Sequence, residues 1–93
     1  MKFKNQLYAK VKEKTVAISH PFRQSLLKAI HEKKSISITD LYQLLDIGQT
    51  VCSMQLTILY KAGFVAKKRA GKKMLYSVDY EAIEDFNQSL ENI

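Results

Sequence analysis

The sequence predicts a mostly α-helical single domain that carries one small β-hairpin near its C-terminal end. The chain has 93 residues, which is the usual size of one domain. Glycine occurs three times and proline once, so few residues interrupt helices. Apolar residues recur at helical spacing along most of the chain, whereas two short β-prone runs flank Gly71. Together these observations indicate five helices, a short strand between the second and third, and a hairpin between the fourth and fifth.

The first two predicted helices occupy the N-terminal third of the chain. The first is predicted over residues 3–16, where apolar residues at i, i+4 and i+8 share one face: Phe3, Leu7 and Val11. The second begins at Pro21, because proline lacks an N–H that the first helical turn would leave unpaired anyway. Ser19 or His20 can cap it. Its apolar face is formed by Phe22, Leu26, Leu27 and Ile30.

The next two helices are joined by a short glycine-containing turn, which makes a helix-turn-helix candidate. Residues 36–38 favour a short strand, and residues 37–40 match the capping-box pattern that begins a helix. Gly48 can cap the following helix, and Gly63 can end it. The buried face of the first helix of this pair is predicted to be Leu41, Leu44 and Leu45. The apolar positions of the second are predicted to be Val51, Cys52, Leu56, Leu59 and Tyr60.

The second helix of the pair begins with uncharged polar residues and has no charge before Lys61. A helix N-terminus of this kind can approach phosphates and reach base edges in a major groove. Glutamine can pair with adenine, and serine or threonine can contact bases or phosphates. An ordinary solvated helix face would have a similar composition. The predicted DNA-binding recognition residues are Gln49, Thr50, Ser53, Met54 and Gln55.

A strongly basic hairpin follows directly. Strands are predicted over residues 64–69 and 74–78, and Gly71 supplies the positive φ that a tight turn requires. Net charge is +6, and residues 61–73 hold six Lys or Arg and no acid. Such a patch is typical of a phosphate-binding surface, although a solvated face can also be basic. The predicted wing residues are Lys67, Lys68, Arg69, Lys72 and Lys73.

The last helix is predicted over residues 80–93, with a near-heptad apolar seam. A domain this small has little core to cover both this seam and that of the first helix. The terminal helices, residues 3–16 and 80–93, are therefore predicted to form a homodimer interface. Their opposite charges favour this packing, although exposed ion pairs contribute little stability. The predicted interface residues are Phe3, Leu7, Val11, Ile83, Phe86 and Leu90.

Several other classes of protein are disfavoured. The single cysteine, Cys52, cannot form an internal disulfide or a multi-cysteine metal site, and it suits a reducing cytosol. We expect it to be a core residue, with a redox switch as the lesser alternative. No apolar run approaches the ~20 residues of a membrane span, and the N-terminus does not look like a secretion signal. The sequence has no paired nucleophile and base and no glycine-rich phosphate loop, so an enzyme is not predicted. His20 is expected to cap the second helix, and His31 is expected to be solvated. Arg23 is expected to be either a structural anchor or a phosphate contact.

Residues 17–78 resemble the ArsR-type (arsenic-repressor-like) winged helix-turn-helix transcriptional regulators. No single piece is diagnostic, but the ordered set is specific: His20-Pro21 with Arg23, Asp40-Leu41, Gln49 with Thr50, Ser53 with Leu56, Leu59, Ala62-Gly63-Phe64-Val65, Gly71 and Tyr76. The resemblance implies a cytoplasmic bacterial homodimer that binds palindromic operators in double-stranded DNA, usually as a repressor released by a ligand. Gln55 departs from the family, which often has His at this position, and Met54 replaces a frequent Arg.

The resemblance also implies where metal sites would lie, and this sequence lacks the ligands there. Ser37 and Thr39 stand near the thiolate positions of the third helix in metal sensors of the family. Tyr80, Ala82 and Ile93 stand near the His and carboxylate positions of the last helix. Soft-metal sites need thiolates, and zinc sites need several N, S or O ligands together. No metal and no cofactor are therefore predicted.

The sequence thus predicts a sequence-specific DNA-binding transcriptional regulator, a homodimeric repressor without a metal site. The main alternative is a winged-helix protein–protein interaction module that does not bind DNA. A further alternative is a regulator without an effector ligand, whose activity follows its expression alone.

Overall fold

The computed structural model describes residues 14–91. Residues 14–19 are helical and are called α1 here. The remaining elements are α2 (Pro21–Lys33), β1 (Ile36–Ser37), α3 (Ile38–Leu44), α4 (Gln49–Lys61), β2 (Val65–Ala70), β3 (Lys73–Val78) and α5 (Tyr80–Glu91). This winged helix-turn-helix order is the predicted one. Three residues of the predicted dimer interface lie outside the described residues: Phe3, Leu7 and Val11.

Local capping chemistry sets where α2 and α3 begin. The His20 Nδ1 atom accepts a hydrogen bond from the Phe22 N–H at 3.2 Å, and Pro21 occupies the first turn of α2. The Ser37 hydroxyl accepts from the Asp40 N–H at 3.2 Å and caps α3. Because Ser37 serves as this cap, strand β1 ends there, and Ile38 belongs to the helix rather than to the predicted strand. Both predicted caps are confirmed.

Helix α4 is bounded by two glycines, as the sequence predicts. Gly48 is its N-cap and offers no side-chain hydrogen bond. At the other end, Gly63 adopts φ +88°. Its N–H donates to the Tyr60 carbonyl at 3.0 Å, and the Phe64 N–H donates to the Leu59 carbonyl at 3.0 Å. This pair of bonds is the Schellman motif, which stops the helix and turns the chain into β2.

The sheet has three antiparallel strands in the order β1-β3-β2. The hairpin is tighter than predicted, since Ala70 pairs with Lys73 and leaves only residues 71 and 72 in the turn. Gly71 has φ +64°, which a two-residue turn requires of its first position. Strand β1 adds to the other edge of β3, with Ile36 opposite Tyr76. The base of the wing is thereby joined to the start of α3.

The core lies between the helices and the base of the sheet. Phe64 is fully buried and packs edge-to-face on Phe86, with 5.5 Å between ring centroids. Aromatic pairs favour this geometry over a stacked sandwich. Among the described residues, the other large side chains that are fully buried are Leu26, Ile30, Leu41, Leu56, Leu59 and Cys52.

Leu44, predicted to lie on the buried face of α3, is instead exposed, so that prediction is wrong, and two apolar positions of α4 are exposed as well. Val51 is 47% exposed, Tyr60 42% and Leu44 51%. The reason is the narrow contact face of each short helix. On α4 this face is taken by Cys52, Leu56 and Leu59, which follow one helical stripe, so apolar residues beside the stripe remain in solvent.

Candidate nucleic-acid interface

The first two turns of α4 present four of the five predicted recognition residues to solvent. Gln49, Thr50, Ser53 and Met54 are exposed. Met54 is 59% exposed, which is unusual for a large apolar side chain. Because the helix N-terminus carries no acidic residue and no side-chain cap, its positive dipole end is open to an anion.

The fifth predicted residue, Gln55, has a different environment. It is half-buried, and its Oε1 atom accepts a hydrogen bond from Arg23 Nη1 at 2.9 Å. Arg23 is only 9% exposed. Its Nε atom donates to the Ala17 carbonyl and its Nη2 atom to the Val16 carbonyl. Arg23 is therefore the structural anchor that the sequence allowed, and it joins α1, α2 and α4.

The inner face of α4 is apolar and includes the only cysteine of the sequence. Cys52 is 0% exposed, and burial raises the pKa of its thiol. A thiol of raised pKa carries little reactive thiolate at neutral pH. The environment therefore matches the expected core residue, and it fixes which side of α4 faces outward.

The wing carries all five predicted cations on exposed positions of β2, β3 and their turn. Only the base of β2 is buried, at Val65. Successive side chains of a strand point to opposite faces, so Lys67 and Arg69 share one face and Lys68 occupies the other. Lys67 Nζ lies 4.3 Å above the centroid of the Tyr60 ring on α4, so this first face is the one turned toward the helix.

The contact between Lys67 and Tyr60 links the wing to α4. A cation over an aromatic face is attracted by the ring quadrupole, by about 0.5–1 kcal/mol at exposed sites. Tyr76 lies opposite Lys67 in the sheet. Burial raises the pKa of its phenol, and the nearby ionisable groups of Cys52 and Tyr60 raise it further. The sequence pattern did not predict the contact between Lys67 and Tyr60.

The predicted dimer residues are only partly described. Phe86 is 6% exposed and Ile83 is half-buried, and both pack within the core of one protomer. The predicted contacts of the first helix and of Leu90 lie outside what the structure describes. Four acids of α5 are exposed, namely Glu81, Glu84, Asp85 and Glu91. The dimer interface therefore stays a prediction.

A second polar contact was missed by sequence reasoning. His31, near the end of α2, has its Nδ1 atom 2.6 Å from the Tyr80 hydroxyl at the start of α5. The two residues are 49 positions apart, and no local pattern relates them. Leu27, Val78 and Ile83 line a shallow apolar depression beside this pair.

Two negative observations apply to residues 14–91. Within that range, no group of three or more His, Cys, Asp or Glu side chains is close enough to hold a metal ion. Over the same residues, no helix has the length and apolar character needed to span a membrane.

Comparison with known proteins agrees with this geometry. The chain superimposes on an ArsR-like transcriptional regulator from Rhodococcus sp. RHA1 with a TM-score of 0.83 and 20% identity, covering 91% of this chain and 79% of that one. A second similar structure is the homodimeric winged helix-turn-helix DNA-binding domain of Mb0332 from Mycobacterium bovis, a possible ArsR-family regulator. It superimposes with a TM-score of 0.81 and 19% identity, covering 91% of this chain and 79% of that one. The transcriptional repressor BigR from Xylella fastidiosa superimposes with a TM-score of 0.68 and 26% identity, covering 94% of this chain and 89% of that one.

Sequence comparison identifies the family. No curated protein sequence matches the chain. The family model described as a helix-turn-helix domain matches residues 18–67, from the end of α1 into the wing. The chain therefore belongs to this helix-turn-helix domain family, and it has the winged fold of the ArsR-type transcriptional regulators.

Proposed function

We propose that this protein is a sequence-specific, DNA-binding transcriptional regulator that reads duplex DNA with α4 and holds the neighbouring phosphates with the wing. The observation that carries this proposal is the contact of Lys67 with Tyr60, which holds the basic hairpin against the C-terminal end of α4, the helix whose first turns carry uncharged polar residues. Phosphate contacts position a protein on DNA, whereas base contacts specify the sequence. The two elements have the residue types that these two tasks require.

The recognition helix reads bases through Gln49, Thr50, Ser53 and Met54. Glutamine can form a paired contact to adenine, and an exposed methionine offers an apolar surface to a thymine methyl group. The wing contributes sequence-independent attraction through Lys67, Lys68, Arg69, Lys72 and Lys73. Because Lys68 lies on the opposite face from Lys67 and Arg69, the strand presents charge on both of its sides.

The finer part of the proposal is a homodimeric repressor in the cytoplasm that binds a palindromic operator and needs no metal. The homodimeric domain from Mycobacterium bovis supports the assembly, and the repressor from Xylella fastidiosa supports the direction of regulation. Two-fold symmetric dimers bind half-sites about one helical turn apart. The terminal helices, residues 3–16 and 80–93, would form the interface, with opposite net charges on the two segments.

One observation favours the alternative of a protein-binding module. Val51, Met54 and Ile58 are 47%, 59% and 37% exposed on α4. Exposed apolar residues that follow one side of a helix can also dock on a partner protein. The basic wing favours DNA over this alternative, because docking on a partner protein does not require five neighbouring cations.

Duplex binding and its salt dependence test the proposal. A pool of random duplexes is selected for binding to the full-length protein, and fluorescence anisotropy then measures affinity for the selected duplex at several salt concentrations. We expect log K to fall linearly with log salt, with a slope of about −0.9 for each phosphate contacted. A protein that binds no duplex at low salt would support the interaction module instead. Sedimentation at micromolar concentration should show a dimer, and a stable monomer would refute the assembly.

A further inference from the structure

The hydrogen bond between Arg23 and Gln55 restricts what Gln55 can offer to DNA. A guanidinium carries donors only, so the carboxamide must turn its oxygen toward Arg23. The observed bond, 2.9 Å from Nη1 to Oε1, has this orientation. The amide nitrogen is consequently directed away from Arg23. Among residues 14–91, no hydrogen bond donated by the Gln55 amide is found.

The orientation of Gln55 is held firmly because Arg23 is itself fixed. Its side chain is nearly buried and is bound at two further points, the carbonyls of Ala17 and Val16 at the end of α1. Charge-assisted hydrogen bonds are stronger than neutral ones, and a buried guanidinium that lost a partner would be left unsatisfied. Rotation of the Gln55 amide would place an N–H₂ group against this cation, which is unfavourable.

The side of α4 that carries Gln55 remains open to a ligand. Residues three and four positions apart share a side of a helix. The neighbours of Gln55 on this side are Val51 and Ile58, which are 47% and 37% exposed. Gln55 also lies in the second turn of α4, directly after the exposed Ser53 and Met54. A duplex that contacts these residues comes within reach of the Gln55 amide nitrogen.

We propose that Arg23 makes Gln55 a donor-only contact to DNA, in which the amide nitrogen binds a hydrogen-bond acceptor of the duplex. The paired contact of glutamine with adenine needs both the oxygen and the nitrogen of the amide, and Gln55 has only the nitrogen available. The acceptor is a phosphate oxygen or an acceptor atom on a base edge, such as guanine N7 or O6. Gln49, whose amide no described residue holds, keeps both groups. This inference rests on the proposed DNA-binding function.

The Gln55→Glu variant separates a DNA contact from a purely structural role. Its carboxylate has the same shape and still accepts from Arg23, so the melting temperature should not fall. It has no donor and adds negative charge, so duplex affinity should fall by about tenfold or more. Gln55→Met is the neutral control, and it should also weaken binding, by about tenfold, without charge repulsion. Equal loss on selected and random duplexes identifies a phosphate acceptor, whereas loss on the selected duplex alone identifies a base.

A double-mutant cycle tests Arg23 as the positioning residue. Arg23→Met should weaken binding in the protein that retains Gln55, but it should have little further effect in the Gln55→Met protein. A general structural role of Arg23 would weaken binding equally in both. If Arg23→Met does not fold, the Gln55→Glu result still decides the inference. Wild-type affinity of Gln55→Glu on both duplexes would overturn it, whereas a wild-type protein that binds no duplex would refute DNA binding itself.

Discussion

Helix α4 and the wing lie side by side and are both exposed, but they are held in place by different means. Helix α4 buries Cys52, Leu56 and Leu59 along its length. The wing is buried only at its base, at Val65 and Val78. Segments with few buried apolar contacts open more easily than core segments. The helix is therefore the rigid element and the hairpin tip the adaptable one.

The chemistry of the two elements matches this mechanical difference. Reading a base edge depends on hydrogen-bond geometry, so it benefits from a helix that is fixed on the core. Attraction to phosphates acts at longer range and tolerates movement. The uncharged residues stand on the rigid element, and the five exposed cations stand on the adaptable one. Under the proposed function, base recognition and attraction to phosphates therefore belong to separate parts of the same small domain.

The largest expected effect comes from truncating Phe64, the residue that lies between helix α4 and the wing. Phe64 directly follows the Schellman turn of α4, precedes β2 and packs on Phe86 of α5. Phe64→Ala should reduce the free energy of unfolding by about 3–5 kcal/mol, because it removes a fully buried ring and leaves a cavity. Urea unfolding measures this loss. Leu44→Ala, at a half-exposed position, is the control, and a similar cost for both variants would contradict the assigned core.

Neutralising the wing should weaken binding without changing specificity. The double variant Lys72→Ala, Lys73→Ala should lose roughly tenfold in affinity for each phosphate contact at 0.1 M salt, on every duplex. Its salt slope should become shallower by about one for each lost contact. Lys28→Ala, at an exposed position on α2, should leave the slope unchanged. A change in base preference by the wing variant would show that the wing reads sequence.

A recognition-helix substitution should do the opposite. Gln49→Ala should cost about 1–3 kcal/mol on the selected duplex and little on random duplex, because it removes a paired base contact. Anisotropy at two salt concentrations should give the same slope as the wild type. Gln88→Ala, an exposed glutamine on α5, should have no effect on either duplex. A shallower slope with unchanged specificity would mean that the roles of helix and wing are reversed.

The smallest expected effect isolates the geometry of the hairpin turn. Gly71 has φ +64°, and nothing lies within 4 Å of where an added Cβ atom would be. Gly71→Ala should therefore destabilise the protein through backbone strain alone, by about 1 kcal/mol. Gly71→Asn should cost less, because asparagine tolerates this conformation. Thermal unfolding compares the two, and an unchanged stability of Gly71→Ala would show that the turn adapts to the new residue.

The order of elements, their caps and the basic wing could all be predicted from the sequence. The helix-capping residues act on backbone groups only a few positions away, so neighbouring residues suffice to predict them. These residues are His20, Ser37, Gly48 and Gly63. The concentration of cations in residues 61–73 is equally evident in the sequence. These features depend on local backbone chemistry and composition, and tertiary packing leaves them unchanged.

Only the tertiary structure decided how the site residues are held. Arg23 meets Gln55 across 32 positions, and His31 meets Tyr80 across 49. The pairing of Ile36 with Tyr76 and the exposure of Val51 and Tyr60 likewise follow from how the helices pack on the sheet. Side-chain identity fixes what a residue can donate or accept, but the partner depends on which distant elements are brought together. For this reason the sequence could place Gln55 on the recognition helix but could not show that Arg23 already occupies its oxygen.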